Sequence, residues 1–282
     1  MTRFIRILAV AALLTACATS AHAQQRPLTT EDPETIGAGR LLIEGGLDWQ
    51  KDIFFPVSGL RGDLLSVPTL GVSVGVSSIA EIQVDGGLYR RLSITERRDG
   101  PLAGLVTAEG DQTTAVDDIV IATKVRFFGE GASRPAMGMR FATKLPNASN
   151  ESGLGKDTMD FAVALLGAKT VQSIRVVGNV GLAIMGDPIE GARQDDLLVY
   201  GVSVARAVTT ATEVVGEING RYNHAEVDGI GAENRAVMRF GGRYTRGSVR
   251  LDAGLLLGMT SRDPEVGFTA GFTWVLNAFQ VP

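Results

Sequence analysis

From about residue 40 to the end of the chain, apolar and polar residues alternate at period two, the spacing that sends successive side chains to opposite faces of a strand. The closing segment EVGFTAGFTWVLNAF shows it most fully. Val266, Phe268, Ala270, Phe272, Trp274 and Leu276 share one face, while Gly267, Thr269, Gly271, Thr273 and Asn277 make up most of the other. In TEVVGEINGRY, Val214, Ile218 and Tyr222 oppose Glu213, Glu217, Asn219 and Arg221. Ala236, Met238, Phe240 and Tyr244 then oppose Arg235, Arg239 and Arg243, and the apolar series Val249 to Met259 opposes Arg250 and Asp252. About twelve such segments of roughly ten residues follow one another, each bounded by turn residues. Their centres lie near Leu42, Leu70, Val84, Ala122, Phe141, Val163, Val180, Val202, Gly216, Arg239, Leu255 and Phe272. The connections alternate in length: long near 52–62, 98–114, 146–157, 186–195 and 223–233, short near 77–78, 129–134, 172–173, 209–211 and 247.

This pattern predicts an all-β chain folded as a transmembrane, antiparallel up-and-down β-barrel of about twelve strands over residues 38–282. A soluble sandwich also alternates, but it packs its apolar faces inward around a small core. Here the apolar faces run for five or six alternate positions, long enough for a hydrocarbon band, and the opposite faces carry charges in register. The even strand count, with long connections on one side and tight turns on the other, fits a single-chain barrel of the bacterial outer membrane. Outer-membrane lipid and the barrel-assembly machinery are the partners this implies. Oligomeric state is left open.

The N-terminus fits that location. MTRFIRILAVAALLTACATSAHAQQ places Arg3 and Arg6 before an apolar run and ends on Ala21-His22-Ala23, the pattern of a secretory signal peptide over residues 1–23. Cleavage after Ala23 would remove the only cysteine, Cys17; the competing reading is a lipobox at Leu14-Thr15-Ala16-Cys17, with acylation of that cysteine. Residues 24–37, including RPLTTEDPETIG, are polar and lack alternation, so they either hang in the periplasm or fold into the lumen as a plug. The formal net charge of −4, more negative once the two leader arginines are gone, speaks against nucleic acid as a partner.

Candidate chemistry is sparse. GLGKD within KLPNASNESGLGKDTMDF looks like a phosphate-binding loop, but Asn150 stands where the first glycine is needed and Asp157 where a magnesium-binding hydroxyl is needed. The stretch is instead expected to be the third outer loop, at the pore mouth, with Gly153 and Gly155 letting it turn sharply. His224 is the one histidine after the leader and sits beside Glu226 and Asp228. Its plain reading is a solvated loop residue; a barrel-embedded hydrolase using it is a weaker alternative. No cofactor, metal site or catalytic residue is expected. Function is expected in the lumen-facing charges, with Glu44, Glu81, Asp85, Arg140, Lys144, Glu213, Glu217, Arg235, Arg239 and Arg243 as candidate pore-lining residues. Acids dominate the early strands and arginines the tenth, so barrel closure is expected to set them opposite each other across the lumen. An interior ion-pair network that only fills space is the competing reading.

Four stretches spread over most of the chain resemble the outer-membrane family named for the meta-pathway of phenol degradation. They are RPLTTEDPETIGAGRLLIEGGLDW, DDIVIATKVRFFGE, ATKLPNASNESGLGKDTMDF and the glycine-rich closing strand. The resemblance implies a transporter barrel that passes small molecules, aromatic ones among them, across the outer membrane. Against it stand a non-conducting structural barrel and the hydrolase.

Overall fold

The structure, a computed structural model, describes residues 26–224 and 230–279. The expected leader, Cys17, Glu226 and Asp228 lie outside the described residues. Its first hairpin joins β1 (Arg40–Phe55) to β2 (Leu60–Gly75). The next wall strand is made of two pieces, β3 (Ala80–Gly87) and β4 (Arg90–Arg97), which pair with the lower and upper halves of β2. Its neighbour is likewise split into β5 (Gln112–Ala115) against β4 and β6 (Val120–Phe128) against β3. Then follow β7 (Ala136–Lys144), β8 (Asp160–Val171), β9 (Ile174–Gly186) and β10 (Gln194–Ala207). The last four are β11 (Thr212–Asn223), β12 (Arg235–Arg246), β13 (Val249–Gly258) and β14 (Val266–Asn277).

Every pairing is antiparallel, and β1 bonds to both β2 and β14, so the sheet closes on itself. Counting each split strand once, the wall is the expected twelve-stranded barrel. Below the rim, where β5 pairs with β4 alone, closure leaves no open edge, which a sheet surrounded by lipid requires because nothing there can satisfy a free backbone group. All twelve predicted segment centres fall in strands. Phe268, Phe272 and Trp274 point outward, 41%, 42% and 41% exposed, and their alternates Thr269 and Thr273 are buried inside. Leu251, Leu255, Phe240, Val214, Ile218, Val202 and Leu182 continue the outward apolar belt around the wall. The belt contacts lipid.

One expectation fails. The first connection is not long: β1 and β2 run 16 residues each and leave only Pro56–Gly59 between them, with Gly59 turning the chain at φ 74°. A transmembrane strand needs about 9–11 residues, so this hairpin rises past the bilayer. What sustains it there is a core of its own. Ile53, Leu60, Leu64 and Leu92 pack with Leu154 from the 145–159 loop, while Arg61, Asp52 and Arg91 look outward. The polarity of the wall is thereby reversed at the outer rim: apolar inside, charged outside. The parity changes where the ladder is irregular, between Gly46 and Asp48 and between Gln50 and Ile53 on β1.

Candidate functional site

The N-terminal segment decides the character of the lumen. Arg26–Gly39 lies inside the barrel as a strap that makes a circuit of the inner wall before entering β1. Arg26 donates to the hydroxyls of Thr69 and Thr269 and to the carbonyl of Ala270, on β2 and β14. On β11, Glu217 accepts from the backbone N–H and hydroxyl of both Thr29 and Thr30 at 2.6–3.0 Å. The backbone N–H of Glu31 donates to Asn179 on β9, and Asp32 receives a two-pronged bond from Arg175 at 2.5 and 2.7 Å. Glu34 pairs with Arg126 on β6, Ile36 N–H donates to Glu81 on β3, and Gly39 N–H to Gly75 at the periplasmic end of β2. The described part of this segment, from residue 26 on, thus runs along the inner wall.

Room for the strap is made by glycine. Gly46 and Gly271 are register partners on β1 and β14, and a Cβ added to either would lie 2.3 or 2.6 Å from the Arg26 guanidinium. Inward-facing glycines on strands that otherwise carry inward charge were the signal available in the sequence for a chain segment passing close by.

The tightest knot is Lys124, fully buried on β6. Its Nζ lies 3.1 Å from Glu31 of the strap and 3.0 Å from Glu81 of β3, and donates to the Asp32 carbonyl at 3.0 Å. Lys124 and Glu81 are register partners, and so are Glu217 and Arg239 (2.8 Å), Glu213 and Arg243 (3.8 Å), and Lys144 and Asp160 (3.4 Å). This corrects the expectation of early acids facing late arginines across the lumen. Opposite charges meet on adjacent strands, because directly opposed residues on one face are within side-chain reach whereas the far wall is not.

The remaining candidates also point inward. Glu44 accepts from the Thr273 hydroxyl at 2.9 Å, Asp85 lies 3.6 Å from Arg140, and Arg140 donates to Gln83 at 2.8 Å. Lys144 reaches Asp118 at 2.8 Å. Glu44, Asp85, Asp118, Lys144 and Arg26 border a cavity of about 350 Å³ on the β1–β6 side. A second, of about 470 Å³, occupies the outer half on the β8–β12 side, above Thr29 and Thr30, and includes Arg140, Arg221, Arg235 and Arg239 in its wall.

The 145–159 loop closes over part of the mouth. Ala148 is buried, Leu154 joins the rim core, Ser58 donates to the Gly153 carbonyl at 2.7 Å, and Asp118 accepts the backbone N–H groups of Asn147 and Ala148. Gly153 has φ 73°, as the sharp fold requires; Gly155 is needed for closeness, since a Cβ there would collide with the Ala148 carbonyl. A cavity of about 240 Å³ at the mouth is bordered by Lys144 and the 153–156 stretch. Burial holds the Lys156 ammonium below its ordinary pKa, with Asp160 opposing the shift. His224 is exposed, 6.4 Å from the Tyr222 ring. Among the described residues no cluster of three or more His, Cys, Asp or Glu side chains is placed to hold a metal.

A closed twelve-stranded barrel with a lipid-facing belt, a charged lumen, and a first strand that starts and a last strand that ends on the short-turn side defines the class: an outer-membrane β-barrel, located in the bacterial outer membrane. Comparison with solved structures agrees on the fold. An outer-membrane channel from Pseudomonas putida F1 superposes with a TM-score of 0.60 at 12% identity, covering 88% of this chain and 100% of that one. The translocator domain of the autotransporter NalP from Neisseria meningitidis gives 0.48 at 11% identity, covering 97% of each chain. A variant of the monoaromatic hydrocarbon channel TodX gives 0.46 at 10% identity, covering 89% of this chain and 93% of that one. No protein-family model and no curated protein matches the sequence.

Proposed function

We propose that the protein is an outer-membrane conduit for small organic molecules, with the strap as its constriction. The observation that carries this reading is the lumen itself: cavities of about 350 and 470 Å³, walled by charged side chains interspersed with apolar ones, lie beside and above the strap. A barrel interior meant only to be filled would pack these volumes with side chains, as small barrels do. Of the ten candidate charges, Glu44, Asp85, Arg140, Lys144, Arg235 and Arg239 border these cavities and line the conduit in this reading, whereas Glu81, Glu217 and Arg243 are buried against the strap and hold it. The Pseudomonas barrel whose fold this chain shares is a channel, and the resemblance to the phenol-degradation family supports small aromatic compounds as the permeant class. Neither a cofactor nor covalent chemistry enters.

Single-channel recording of the purified chain in planar bilayers, with a panel of small aromatics, tests the proposal. Discrete conductance steps modulated by one or more of the panel are expected. A folded, inserted barrel without conductance would leave a structural role, and turnover of an ester or peptide lost in His224→Ala would favour the hydrolase.

A further inference from the structure

The in-register charge pairs on the lumen wall mostly set acid against base, with two exceptions: Arg140 opposite Lys124, which Glu81 and Glu31 also hold, and a pair at the outer end of β11 and β12. There Arg221 stands directly opposite Arg235. Like charges in that relation repel, at a cost comparable to what the opposite-charge pairs contribute. Arg221 is partly compensated: its Nε and Nη2 donate to the carbonyls of Glu233 and Gly231, and the Glu233 carboxylate lies 3.6 Å away. Arg235 is not. Among the described residues no carboxylate lies within ion-pair distance of it, its one hydrogen bond is a 3.4 Å contact to the Phe54 carbonyl, and its buried Nε meets no acceptor.

Both arginines line the 470 Å³ cavity, together with Arg140 and Arg239, and stand between it and the smaller cavity at the mouth. Asp263 shares that wall; its Oδ2 accepts from the backbone N–H groups of Ala236 and Thr260 and from the Thr260 hydroxyl, and its Oδ1 is buried with no hydrogen bond among the described residues. The rest of the wall mixes hydrogen-bonding groups, such as Tyr200 and Asn219, with apolar Val199, Val237, Leu256 and Pro264. Basic groups at one place and an apolar surface beside them suit an amphipathic anion. The planar forks of two arginines match a carboxylate in particular, and the volume falls within the range of small-ligand sites.

We propose that this outer cavity is a carboxylate-binding subsite for small organic acids, with Arg235 and Arg221 holding the carboxylate and the apolar wall holding the body. The inference deepens the conduit reading and rests on it: the subsite would collect the acid above the strap before passage.

The test uses benzoate and its neutral isostere benzamide with the purified full-length protein. Calorimetry in detergent should show benzoate binding at least roughly tenfold tighter than benzamide, and Arg235→Gln should remove about that factor, as expected for one charge-assisted hydrogen-bonding group. Arg221→Gln should weaken benzoate in the same sense, and heat-modifiable gel migration establishes that each variant is folded. Equal affinity for benzoate and benzamide, unchanged benzoate binding in folded Arg235→Gln, or sulfate binding as tightly as benzoate would overturn the subsite. Bilayer recordings of the same preparations separate the two readings. Conductance without preference for benzoate over benzamide sinks the subsite and spares the conduit, whereas benzoate binding without conductance sinks the conduit.

Discussion

The middle of the barrel and its outer rim belong to one sheet with opposite polarity. In the membrane band, Leu251, Leu255, Phe268 and Phe272 face outward, and Glu217, Arg243, Asp252 and Lys124 face inward. Over the outer ends of β1, β2 and β4, Leu60, Leu64 and Leu92 face inward around Leu154, and Arg61 and Arg91 face outward. The difference teaches that the sheet imposes only alternation. Which set of alternates is apolar depends on what each face meets: lipid outside and water or the strap inside at mid-height, water outside and a packed loop inside at the rim.

Four tests sharpen that contrast, from the largest expected effect to the smallest. Lys124→Met in the band leaves Glu31 and Glu81 buried without their cation, and should cost about 3–5 kcal/mol of unfolding free energy in micelles. A loss under about 1 kcal/mol would mean that the strap does not depend on that knot. In the rim, Leu92→Ala empties a fully buried site and should cost roughly 2–5 kcal/mol in the same urea titration; a negligible change would argue that the rim core is loose. The sharpest pairing is Leu255→Arg on the lipid face against Thr95→Arg on the outward face of the rim, both at exposed positions. About 2–4 kcal/mol is expected for the first and within about 0.5 kcal/mol of zero for the second. Equal costs would place both regions in the same medium. Last, Asp52→Asn removes the partly exposed partner of Arg61 and should change stability by at most about 1 kcal/mol, less at high salt.

The band was legible because lipid enforces a strict rule: along β13 and β14 nearly every outward position is apolar, so period two declares the strands and their faces together. The rim was not, because Leu60, Leu64 and Leu92 need the 145–159 loop to explain them, and no local pattern says that Leu154 will arrive there. The expected long connection near 52–62 is mostly strand, and the charged Asp52 and Asp63 sit within β1 and β2 there. The strap was half legible. Its polarity and lack of alternation excluded a wall strand, but its choice of lumen over periplasm rests on bonds to Glu217, Arg175 and Glu81 that are far apart in sequence. The inward direction of the ten candidate charges followed from alternation alone, while their partners required the register: Glu217 meets Arg239 because β11 and β12 align them, and no periodicity within one strand contains that information.

The central claim, a wet lumen constricted by the N-terminal strap, is tested most directly by comparing single-channel conductance of the full-length protein with that of a chain lacking residues 26–35. Both are reconstituted in the same bilayer and shown by heat-modifiable migration to be folded. The account predicts that removing the strap raises conductance severalfold and leaves the steps discrete. Identical conductance in the two, or none in either, would contradict it.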